Sequence, residues 1–135
     1  MAIRIRVRLR RGEREAEVVA LVNSGFETDT PDIVVPIALA RRLGIWPITR
    51  GELVELETGG GEAEAFMVRS ALELVSVDRP DKALEVNAII SRHVREVLIS
   101  DYVAGELGIV ALDFRRGLWR FSDEDVVRRS EPRPS

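Results

Sequence analysis

At 135 residues, 45% hydrophobic and 32% charged, the chain has the size and composition of one soluble globular domain with a real core. Its formal charge of −3 lacks the basic excess of a nucleic-acid binder, and no apolar run approaches the roughly 20 residues that span a bilayer. Without cysteine there is neither a disulfide framework nor thiolate chemistry.

The opening Met1-Ala2-Ile3-Arg4-Ile5 alternates charge with apolar residues, unlike a signal peptide, so a cytoplasmic protein is the expectation. Glutamine is absent, asparagine occurs only at 23 and 87, and Lys82 is the sole lysine among many arginines, a bias that points to a thermophilic source.

Ile3, Ile5, Val7 and Leu9 alternate with Arg4, Arg6, Arg8 and Arg10, which predicts a half-buried strand. After the turn Arg11-Gly12-Glu13-Arg14, Glu15 to Val22 form a second strand ending in an apolar run, and the pair reads as a hairpin. The arginine stripe is expected to be a solvated face paired with Glu15 and Glu17 rather than a phosphate-binding surface. A polar stretch from Asn23 to Asp32 precedes Ile33-Val34-Val35 and a two-turn helix that starts at Pro36 and stops at Gly44.

Glu52–Glu57 and Ala63–Val68 predict a hairpin with a glycine-rich tip, Thr58-Gly59-Gly60-Gly61. Strands are then expected over Leu72–Val77, Leu84–Ile90 and Val97–Ile99, with a second helix capped by Ser100 or Asp101 and closed by Gly108. Ile109–Phe114 and Leu118–Phe121 form a terminal hairpin. Residues 122–135 are charged, contain prolines and show no apolar period, and read as a disorder-prone tail beyond a domain of residues 1–121. About nine short strands and two short helices indicate a mostly β fold, a small closed barrel.

The segment Ala20-Leu21-Val22-Asn23-Ser24-Gly25-Phe26, followed by Ile33-Val34-Val35-Pro36 and the helix to Leu43-Gly44, resembles the active-site region of retropepsin-like aspartic proteases. There an apolar strand runs into Asp-Thr/Ser-Gly, then a loop, a second apolar strand and a short helix. Val97-Leu98-Ile99-Ser100-Asp101 and the closing hairpin through Trp119 extend the likeness over residues 3 to 121. The resemblance implies a retropepsin-type barrel and, with one motif per chain, a site that exists only on the two-fold axis of a homodimer. It also implies that the Ser24 hydroxyl helps lock the two loops together, that Gly25 permits close approach, and that the hairpin tip at Thr58, Gly59 and Gly60 covers a bound peptide. Glu27 and Asp29 are the loop acids that would meet a substrate main chain, although a solvated loop is an equal reading.

Two residues depart from the pattern. Such proteases set two carboxyls about 3 Å apart sharing one proton, but here Asn23 is a neutral amide that cannot take a proton from water. General acid–base catalysis, worth about 10²–10⁴ in rate, would be lost in both chains at once. Near Ile99-Ser100 the family expects glycine, and a side chain there would crowd the space under the loop. The expected function is therefore a catalytically inactive retropepsin-fold homodimer that keeps a peptide-binding cleft or a structural role. The alternative is an aspartic endopeptidase whose acid was replaced by Asn23 or is regenerated by its deamidation. The plain reading of Asn23-Ser24-Gly25 is an Asx turn ending a strand. No cofactor or metal is expected, since His93 is the sole histidine and has no ligand-spaced partners, and Gly59-Gly60-Gly61 lacks the lysine of a phosphate loop.

Overall fold

A computed structural model describes residues 2–48, 50–58 and 61–134. Strands β1 (Arg4–Arg11) and β2 (Arg14–Val22) form the expected antiparallel hairpin, with Arg8 opposite Glu17 and Arg10 opposite Glu15. The period of two sends Ile5, Val7 and Leu9 into the core while Arg8 and Arg10 bind those glutamates on the outer face. β3 (Asp32–Pro36) runs into α1 (Ile37–Arg42), so Pro36 is the N-cap, one position before the first helical residue.

β4 (Glu52–Thr58) pairs with β5 (Gly61–Ser76), and β5 with β6 (Ala83–Ser91). Next come β7 (Val97–Ile99) and α2 (Asp101–Leu107), whose cap is Ser100, its Oγ accepting from Val103 N, and whose stop is Gly108 at φ 76°. β8 (Ile109–Asp113), β9 (Leu118–Phe121) and β10 (Arg128–Arg129) complete the chain as a separate three-stranded sheet in the order β10-β9-β8.

The larger sheet runs β1-β2-β7-β3-β6-β5, and the β1–β5 pairing closes it into a six-stranded barrel with β4 attached outside β5. The fold is thus mostly β with two short helices, as expected. Two pairings are parallel, β2 with β7 and β3 with β6. The first sets Val22 beside Ile99, so the chain leaves β2 and β7 at the same end of the barrel. The core divides accordingly. A large cluster fills the barrel, and a smaller one of Val34, Leu56, Ala65, Met67 and Ile89 lies where β3 and β6 meet the β4–β5 hairpin.

Two further sequence expectations are corrected. The strands expected at 63–68 and 72–77 are one 16-residue strand, β5, whose register shifts between Val68 and Leu72. Between those two stretches Arg69-Ser70 is a bulge, with Ser70 at φ 49°. Arg4, read as part of a solvated stripe, is buried; its Nε and one terminal nitrogen each lie 3.1 Å from a Glu96 carboxyl oxygen.

The segment after Phe121 is laid against the domain rather than hanging free of it. β10 pairs with β9, Ser130 Oγ accepts from Arg4 N at 2.8 Å, and Glu131 N donates to Arg4 O at 2.9 Å. Its anchor is an ionic cage over the buried Phe121 ring, with Arg79, Lys82 and Arg128 5.3–5.8 Å from the ring centroid. Asp81, Asp123 and Glu124 pair with those cations. The Arg128 hydrogen bond holds the Glu124 carboxyl down at about 2, and Arg79 and Lys82 hold Asp123 well below the usual carboxylate range. Charge pairing and main-chain hydrogen bonds hold this segment, which is why no apolar period announced it.

Candidate functional site

The loop after β2 is built by the parallel β2–β7 pairing. Asn23 N donates to Ile99 O at 3.1 Å, continuing that ladder by one residue. The side chain then folds back, with Asn23 Oδ1 accepting from Gly25 N at 3.1 Å while Asn23 O accepts from Phe26 N at 3.0 Å. This is the Asx turn of the plain reading. It occupies the only amide acceptor and leaves the two Nδ2 protons without a partner among the described residues.

The rest of the loop is tied to the start of α2. Asp101 N donates to Phe26 O, the Asp101 carboxyl accepts from Thr28 N, and Ser100 N donates to Asp32 O. Beneath lies a buried polar knot that sequence reasoning did not single out. Asp32 Oδ1 accepts from Thr30 Oγ1 and from Asn87 Nδ2, each at 2.8 Å, and Asn87 Oδ1 accepts from Ser70 N at 2.8 Å. One of the two asparagines in the chain thus joins the Asn23 loop to the β5 bulge. Its signal was compositional, an asparagine surviving within an apolar strand of a chain that otherwise avoids amides.

Both residues at the position where the family expects glycine have structural places of their own. Ile99 is fully buried in the barrel core, and Ser100 is fully buried with its Oγ accepting from Val103 N as the helix cap.

Asn23, Gly25 and Glu27 share a cavity of about 710 Å³ whose floor is apolar, made of Phe26, Val34, Leu56, Val94 and Leu98. Val34 and Leu56 belong to the smaller core cluster, and Phe26, Val94 and Leu98 pack against it. Glu55 of β4 and the exposed loop residue His93 complete the rim. Ser24 and Asp29 are exposed in the same loop but do not line the cavity. Thr58 pairs with Gly61 at the end of the β4–β5 ladder, and Gly59 and Gly60 lie outside the described residues. A Cβ placed on Gly25 would meet only Asn23 Oδ1, at 3.4 Å, an ordinary contact, and the backbone there has no positive φ. Nothing within one chain demands glycine at this position.

Among the described residues no three His, Asp or Glu side chains converge to hold a metal ion. Chemically, the cavity offers an apolar seat, one amide whose two donors have no partner among the described residues, and the carboxyls of Glu27 and Glu55. The chain matches no model of a known protein family and no curated protein sequence.

Proposed function

We propose that the protein is a retropepsin-type homodimer that binds an extended peptide without cleaving it. The observation that carries this reading is the cavity, which puts Asn23 and Gly25 on the lip of an apolar seat beneath the β4–β5 hairpin. A peptide side chain fills the seat, and the free Asn23 Nδ2 protons donate to a peptide carbonyl at the lip. Two symmetry-related amides can hold that carbonyl, but neither can take a proton from water, so the bound peptide stays intact. The dimer gives a reason for Gly25, whose missing side chain serves no purpose inside one chain, and a partner for the exposed Ser24 hydroxyl.

The decisive experiment restores the acid. Asn23→Asp is isosteric and keeps an oxygen where Gly25 N now donates. The unaltered protein binds peptides with a large apolar residue and leaves them whole between pH 3 and 7, whereas Asn23→Asp cleaves them in a pepstatin-sensitive manner. Peptide cleavage by the unaltered protein, free of mass gain at residue 23, refutes the inert reading. Failure of both proteins to bind any apolar peptide refutes the cleft.

A further inference from the structure

A second cavity, of about 590 Å³, opens at the root of the β4–β5 hairpin and shares no lining residue with the Asn23 cleft. Three arginines reach it from three parts of the chain: Arg11 from the end of β1, Arg50 from the segment before β4, and Arg69 from the β5 bulge. Glu52 is the one carboxyl in the lining, and it is already engaged by Nε and one terminal nitrogen of Arg69. Arg11 gives one nitrogen to Ala71 O at 2.9 Å, which fixes its guanidinium over β5 and leaves its remaining donors open. Arg50 has no ion-pair partner among the described residues. With Arg69 and Glu52 paired, two unmatched cations remain in the hollow of a chain of charge −3, whereas Arg8 and Arg10 on β1 are matched with glutamates across the strands.

The walls are held firmly. Ser70, at φ 49°, is the only non-glycine residue with positive φ among the described residues, and its N–H is pinned by Asn87. At Gly51 a Cβ would lie 2.9 Å from Ile48 Cγ2 and 3.2 Å from Met67 O, so only glycine lets β4 start this close to β5. Ile45, Pro47 and Met67 add apolar surface beside the guanidiniums. A strained bulge and a forced glycine framing a cation-lined hollow is the arrangement of a ligand clamp.

We infer that this hollow binds a small molecule carrying an oxyanion, a phosphate or a carboxylate, forked between the Arg11 and Arg50 guanidiniums beside the Arg69–Glu52 pair. The inference stands apart from the peptide-binding reading. Titration calorimetry of the full chain in low-salt buffer tests it, with inorganic pyrophosphate and citrate as probes for the two oxyanion classes. Saturable binding of either probe is expected, weakened about tenfold or more by Arg50→Ala or Arg11→Ala and by added salt. Arg8→Ala, which removes a guanidinium already paired with Glu17, is expected to leave affinity within about twofold of the unaltered protein. All three side chains sit at the surface, and circular dichroism establishes that each variant folds. No saturable binding of either probe at millimolar concentration overturns the inference. So does binding that Arg8→Ala weakens as much as Arg50→Ala and Arg11→Ala do.

Discussion

Asn87→Ala removes the centre of the knot that ties the Asn23 loop to β5. Asn87 is 7% exposed and makes two hydrogen bonds of 2.8 Å, one to Asp32 Oδ1 and one from Ser70 N. Losing both costs about 1 kcal/mol each, and stranding the Ser70 N–H adds about 1 more, since Asp32 Oδ1 keeps its bond from Thr30 Oγ1, for a total of about 3 kcal/mol. For a domain of this size that is a fall of roughly 10 °C in Tm. Thermal unfolding by circular dichroism reads it directly, and a fall of less than about 3 °C would refute the assignment of the knot as a structural tie. Asn87→Asp sharpens the test by setting a second carboxyl against Asp32. Two acids in contact raise their joint affinity for a proton in the folded state. The folded variant therefore holds a proton that the unfolded chain has released, so its stability falls as pH rises through the carboxylate range. The gap to the unaltered protein should widen between pH 4 and 7, and a constant gap would show that residue 87 does not face Asp32.

The arginine stripe supplies a contrast within one strand. Arg4→Ala leaves Glu96 without its partner at a nearly buried position and should cost about 2–3 kcal/mol in urea unfolding, whereas Arg8→Ala, at an exposed pair, should cost less than about 1. The Glu124 carboxyl, held at about 2 by Arg128, contributes stability that is present above about pH 4.5 and lost as pH falls toward 2. Glu124→Gln is thus expected to lower Tm at pH 7 and to match the unaltered protein near pH 2; an equal deficit at both pH values would show that the side chain acts by packing instead of charge.

Local pattern made much of the barrel legible. Alternation located β1 and β2, the turn residues located the hairpins, and Ser100 and Gly108 marked the ends of α2. What escaped were features decided at long range. A bulge and a loop look alike in sequence, because Arg69-Ser70 is polar in either, and only pairing with β6 on both sides makes one strand of β5. Arg4 could not be told from Arg6 and Arg8, since its burial comes from Glu96 and Ser130, 92 and 126 residues away. The final segment binds through ion pairs and main-chain hydrogen bonds that have no apolar signature. At the site, proximity in sequence brought Asn23, Gly25 and Glu27 to one cavity, but the floor residues Leu56, Val94 and Leu98 come from elements far along the chain. Chain packing, not spacing, recruits them.

The reading of the cleft requires two copies of the Asn23 loop to meet across a two-fold axis. The chain has no cysteine, so Ser24→Cys places one thiol on each exposed loop with no competing partner. Under mild oxidation this variant should form a covalent dimer, visible by non-reducing electrophoresis and reversed by thiol, while a cysteine at the exposed position of Glu85 on β6 should stay monomeric. Cross-linking no greater at residue 24 than at residue 85 would contradict facing loops and, with them, a peptide site shared by two chains.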